Sequence, residues 1–215
     1  MKHRQYKATP QLSEVVQRRQ DTQASRFARR REIRMDERRK ELLGHTEVQN
    51  AGKSISSLAD ALAVAIGTSC PDWEFITMKL KALLSVLELA DSSVEGIRKI
   101  LEILAFLLSN AKKIPIQSLS AWCIANITFH GHDRCIIAAD FVPTLLEQLT
   151  LSFLPASLQE PCLWSIGNIS GCCTQCRTRV QSNGIAVSTL VEILQPKVSN
   201  SASCQLSSSY AGCQS

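Results

Sequence analysis

Aromatic residues are scarce in this 215-residue chain: three Trp, two Tyr and six Phe make up 5% of it. Nine Gly and seven Pro are also few, which speaks against an all-β sandwich with its many turns. No apolar run approaches the ~20 residues that cross a bilayer. The candidates, Leu58–Ile66 and Ile100–Leu108, have nine residues each, and Glu102 interrupts the second. The N-terminus is polar and basic and lacks the apolar stretch of a secretory signal. Nine cysteines without an export signal read as reduced thiols rather than a disulfide framework. Cys123, Cys135 and Cys162 lie in apolar helical surroundings, where Cys acts as a small hydrophobe. There is no P-loop, no Gly-rich dinucleotide motif and no pair of catalytic carboxylates. The expectation is a soluble, intracellular, non-enzymatic protein without a cofactor.

Charge is abundant but unevenly placed. Residues 1–40 hold 13 Lys and Arg against five Asp and Glu, a net of +8, leaving 11 against 14, a net of −3, for the remainder. A basic arm, residues 1–44, precedes a mildly acidic body, and this asymmetry calls for a partner. The arm's charge sits on Arg26, Arg29, Arg30, Arg31, Arg34, Arg38, Arg39 and Lys40, interleaved with Glu32, Asp36, Glu37 and Glu41. Its residues favour helix. With so few apolar side chains it is expected to stay disordered or transiently helical until a partner orders it.

Beyond a spacer and first helix, residues 45–71, the pattern is helical throughout. Ile55, Leu58, Leu62 and Ile66 form one stripe, closed by Gly67 and Pro71; Ile76, Leu80, Leu83, Leu84 and Leu87 form the next. Ser92 and Glu95 have capping-box spacing ahead of Ile97, Ile100, Leu101, Leu104 and Leu108. No alternating strand pattern interrupts the series, so the fold class is all-α.

A repeat is the most informative feature. Ser120-Ala121-Trp122-Cys123-Ile124-Ala125-Asn126-Ile127 matches Cys162-Leu163-Trp164-Ser165-Ile166-Gly167-Asn168-Ile169, with both Trp and both Asn 42 residues apart. A helical period of that length is that of armadillo or HEAT units. About three repeats are expected in residues 72–195, at 72–111, 115–154 and 157–195. The Ser-rich segment 196–215 has no apolar period and reads as a disordered tail, arriving where a next repeat would begin.

Trp122 and Asn126 lie one turn apart on one helix, as do Trp164 and Asn168. Stacked helices ~8–10 Å apart would set these pairs at the spacing of about three residues of extended peptide. An Asn amide can both donate to and accept from a peptide backbone, and Trp faces suit aliphatic stems and Lys or Arg heads. The alternative is that the Trp are core and the Asn bond helix to helix. Other candidates are weaker. Cys173 and Cys176 have metal-ligand spacing beside Cys172, but no second pair is evident to complete a zinc site. His130 and His132, near Asp133 and Cys135, read as loop residues.

Pro115 through Ile127, with Trp164-Ser165-Ile166-Gly167-Asn168-Ile169, resembles the importin-α (karyopherin-α) family. The resemblance implies an armadillo α-solenoid acting as a nuclear import adaptor, present in cytoplasm and nucleus. Trp122, Asn126, Trp164 and Asn168 would bind the basic nuclear localisation signals of cargo proteins. The arm would bind an importin-β-type carrier and mimic cargo in an autoinhibited state. The chain departs from the family at Cys172, where an acidic residue is usual, and at Leu119 and Pro161. A scaffold binding other protein partners is the runner-up. Nucleic acid and membranes are not expected partners, because the arm lacks aromatics for base stacking and its acids dilute the positive field.

Overall fold

Apolar residues recur here at three- and four-residue intervals, and the computed structural model of the protein turns each such stretch into helix. It describes residues 12–43, 55–87, 93–151, 154–184 and 186–194, with side chains of the first helix described at 26 and 29–43. The tail 196–215, most of the spacer and Ser92 lie outside these residues. Among the described residues ten α-helices follow in order: α1 Leu12–Leu43, α2 Ile55–Ile66, α3 Trp73–Val86, α4 Val94–Asn110, α5 Ile114–Phe129, α6 His132–Ala138, α7 Val142–Leu149, α8 Ala156–Cys172, α9 Thr174–Ser182 and α10 Ala186–Leu194. A single turn of tighter helix, Ala139–Phe141, joins α6 to α7. No strand occurs among the described residues, as the all-α expectation requires.

Local chemistry sets the boundaries. Asp72 caps α3, accepting from the backbone N–H groups of Glu74 and Phe75 at 3.0 Å each. This satisfies donors that the helix itself leaves unpaired. At α4 the cap is Ser93, whose hydroxyl accepts from Gly96 N–H at 3.1 Å. The start is thus one residue later than the capping-box reading of Ser92 and Glu95, because the helix takes the serine whose side chain reaches its third N–H. Pro115 and Pro143 stand in the first turns of α5 and α7, where a missing N–H is no loss. Gly131, between α5 and α6, has φ +135°, a conformation closed to side chains with a Cβ. Beyond that turn α6 packs against α4 and α5, so His132 opens a helix rather than lying in a loop.

Helices α2, α3 and α4 bury the expected stripes. Leu58, Leu62, Leu80, Leu83, Ile97, Leu101 and Leu104 are each 1% exposed or less and share one core. Each such side chain contributes ~1.5–3 kcal/mol of transfer free energy. Cys123, Cys135 and Cys162 are buried in it, as their surroundings suggested.

α5 lies at the centre. It packs most extensively against α8 and also touches α3, α4 and α6. Buried positions run unbroken from Ser118 to Thr128, so beyond its first turn the helix has no solvent face and hence no single apolar stripe. Its long neighbour α8 contains Pro161, where Ser165 Oγ donates back to the Pro161 carbonyl at 2.8 Å.

Candidate functional site

The two Trp-x-x-x-Asn segments fall on α5 and α8, side by side. The basic arm lies along them. In α1, Arg31, Met35, Arg38 and Leu42 recur at i, i+4, i+7 and i+11, which places them on one face of the helix. Met35 is 1% exposed and packs in a small cluster with Trp122 and Ala125, flanked by Phe129, Trp164 and Leu42. The Trp122 ring belongs to this cluster and not to the main core.

Two arginines bracket the methionine. Arg31 donates to Asn168 Oδ1 at 3.3 Å. Arg38 stands 5.7 Å from the centroid of the Trp122 ring and donates to Glu160 at 3.4 Å and to Glu41 at 2.5 Å. Its hydrogen bond to Glu41, with the charge of Glu160, holds its guanidinium above the ordinary arginine pKa, burial opposing them. Arg31 meets the C-terminal half of α8 and Arg38 the N-terminal half, so α1 runs antiparallel to α8. Seven helical residues between them span about 10 Å, close to the eight-residue span from Glu160 to Asn168. An extended strand would cross the same distance in about three residues.

The eight arm residues therefore divide. Arg31, Arg38 and Arg39 are half-buried, whereas Arg26, Arg29, Arg30, Arg34 and Lys40 are exposed. Arg39 pairs with Asp36 at 3.2 Å within the same helix. The described part of the arm is helical, and the body supplies an apolar surface for it. Methionine and leucine provide the anchor, and arginine stems cover the rest while keeping their heads at the rim. Counting apolar residues alone misses this stripe; the signal was Met35 and Leu42 in register with Arg31 and Arg38.

The two asparagines are not equivalent. Asn168 is 6% exposed and its Nδ2 donates to the Ala125 carbonyl at 3.2 Å and to Thr128 Oγ1 at 3.3 Å, bridging α8 to α5. Its Oδ1 is the atom that meets Arg31. Asn126 is 1% exposed, and its Nδ2 donates to the Trp122 carbonyl at 2.8 Å, one turn back on its own helix. Its buried Oδ1 has no partner among the described residues.

A second group of side chains meets at the far end of the same two helices. His132 Nδ1 lies 3.1 Å from Cys172 Sγ, and these atoms with Cys173 Sγ all fall within 4.8 Å of one another. His132 and Cys172 are 40 residues apart, and only the packing of α5, α6 and α8 makes them neighbours. The Cys176 N–H donates to Cys173 Sγ at 3.4 Å and holds that thiol below its ordinary pKa. Burial first, and Cys173 next, push Cys176 up to about 12; burial and then Cys172 push Cys135 up to about 12. The sequence sets Cys172, Cys173 and Cys176 close together, and the fold adds His132 beside Cys172 and Cys173.

No protein-family model matches the chain, and no curated protein sequence matches it. Among solved structures, an engineered protein is similar, with 19% identity over 76% of this chain and 73% of that one and a TM-score of 0.48, a likeness that carries no argument. No helix among the described residues is long and apolar enough to cross a membrane.

Proposed function

We propose that the protein is an adaptor whose α5/α8 face binds basic segments of other proteins, with its own arm as the resident competitor. The observation that carries this is the seating of Arg31 on Asn168 and of Arg38 over Trp122, with Met35 between them. A face that accommodates two arginines through an amide, an aromatic ring and Glu160 has the chemistry to accept a Lys- or Arg-rich peptide in their place.

In its particular form the reading is a nuclear import adaptor built as an armadillo-type stack of about three repeats. The resemblance to importin-α supports it, as does the basic arm, whose exposed Arg26, Arg29, Arg30, Arg34 and Lys40 are presented to a carrier of the importin-β type. In that form carrier and cargo help one another: a carrier that takes the arm uncovers the face, and a cargo peptide that takes the face releases the arm. Cys172, in place of the usual acid, and the inward-turned asparagines make such binding weaker than in a full ladder.

One observation favours a scaffold without transport. Asn126 spends its amide donor on its own helix, so at that rung the pair is structural. The test is co-purification of the full chain with an importin-β-type carrier, in the presence and absence of a Lys-rich signal peptide. Mutual enhancement supports the adaptor. A chain that ignores the carrier yet still captures the basic peptide is a scaffold.

A further inference from the structure

The His and Cys cluster at the end of α5, α6 and α8 plays no part in the proposed binding of peptides. It consists of two short sequence elements brought together: His132 at the first position of α6, and the adjacent Cys172 and Cys173 followed by Cys176, where α8 gives way to α9. We propose that His132, Cys172, Cys173 and Cys176 form a structural site for one zinc ion that ties α6 to the α8–α9 corner.

Geometry supports this first. Tetrahedral zinc with Zn–S near 2.3 Å and Zn–N near 2.0 Å separates its ligand atoms by about 3.5–3.8 Å. The 3.1 Å between His132 Nδ1 and Cys172 Sγ, and the 4.8 Å limit that includes Cys173 Sγ, lie within an ångström or so of that requirement. Cys176 Sγ stands outside that group of three atoms, beside Cys173, and must turn toward them to complete the set. His132 presents Nδ1 to the thiols, leaving Nε2 to carry the imidazole proton.

Chemistry supports it next. Three thiolates and one imidazole are a soft, tetrahedral donor set, which suits zinc above the oxygen-seeking cations. The Cys176 N–H donates to Cys173 Sγ at 3.4 Å, so the two cysteines already face one another across the start of α9. Cys176 supplies the fourth ligand in preference to Cys135, whose thiol already donates to the Thr128 carbonyl at 3.0 Å. Binding releases three thiol protons and leaves a net charge of −1 on the site. Arg31, the arginine that reaches Asn168, lines the cleft shared by Cys172 and Gly171 and partly offsets that charge. His132 is exposed, so the ion has a path from solvent.

The test is a cobalt titration of the full chain, reduced and freed of metal, followed by displacement with zinc. One equivalent should bind with thiolate-to-cobalt charge transfer and intense tetrahedral visible bands, and zinc should abolish both. His132→Ala, at an exposed side chain, and Cys172→Ser, at a half-buried one, should each weaken binding by more than about tenfold. Cys176→Ser should lower the charge-transfer intensity by about a third, whereas Cys135→Ser should leave it unchanged. Circular dichroism confirms that each variant is folded, and if Cys176→Ser is not, the exposed His132→Ala decides the matter. A weak octahedral spectrum, full affinity in His132→Ala, or thiols found paired as disulfides in the purified protein would each overturn the site.

Discussion

Met35 of α1 is buried against the indole of Trp122 on α5, and this contact closes the basic arm over the face that carries both tryptophans. A thioether against an aromatic ring is favourable beyond its buried area, and it holds Arg31 and Arg38 at their positions on either side. Met35→Ala removes most of that anchor and should weaken docking by about 2 kcal/mol or more. Hydrogen exchange should then show α1 amides losing protection while those of α3 to α5 keep theirs. Unchanged protection of α1 would place the anchor elsewhere.

Trp122→Ala should act on the arm in the same way and leave the body folded, because its ring lies outside the main core. Thermal denaturation of this variant beside Met35→Ala is the check. A loss of many degrees with Trp122→Ala alone would make that ring a core residue.

The two asparagines should separate cleanly. Asn168→Ala deletes the bonds to Ala125 and Thr128 that tie α8 to α5, together with the acceptor that meets Arg31, an expected loss of ~1–3 kcal/mol. Asn126→Ala gives up one bond within its own helix together with an acceptor that has no partner, and should change stability little. Urea denaturation of the pair measures the difference. Equal losses would contradict the division of roles.

Gly131→Ala should destabilise the protein by ~1–3 kcal/mol although open space surrounds the position, since the cost lies in its φ of +135°. The variant should also disturb the placement of His132. Loss of cobalt affinity with retained helix content would report both effects together.

Burial pushes the Cys162 thiol up to about 12, so folding prefers its protonated form. This contribution to stability is complete below the ordinary thiol pKa of 9.0 and is lost as pH rises from there toward 12. The urea midpoint should fall above pH 9 and fall less in Cys162→Ala. At neutral pH, brief alkylation of the metal-free chain should mark Cys173 and the exposed Cys70 and spare Cys123 and Cys162, as peptide mass mapping would show.

Helices α2, α3 and α4 were legible in the chain because each carries a stripe at helical spacing bounded by Gly67, Pro71 or Asn110. α5 was legible only through its repeat with α8, since a helix buried on all sides beyond its first turn has no stripe to read. The arm's helical state was within reach, but its seat was not: Arg31 and Arg38 count as polar in any periodicity, yet their stems cover apolar surface. The depth of Asn126 and Asn168 was hidden for a related reason, because spacing places a residue on a helix face without saying which neighbour covers it. His132 and Cys172 lie 40 residues apart, and no local pattern joins them before α6 packs against α5 and α8.

Competition between the arm and a basic peptide tests the account most directly. A fluorescent Lys-rich peptide would be titrated into the full chain and into the full chain carrying Met35→Glu, at low and at moderate salt. Undocking the arm should tighten peptide binding at least tenfold, since a tethered competitor acts at about millimolar effective concentration. The gain should shrink with salt for the wild type, whose Arg38–Glu160 pair is exposed to screening. Equal affinity in both chains, or binding that survives Trp122→Ala with Trp164→Ala, would mean that basic peptides bind elsewhere and that the arm guards nothing.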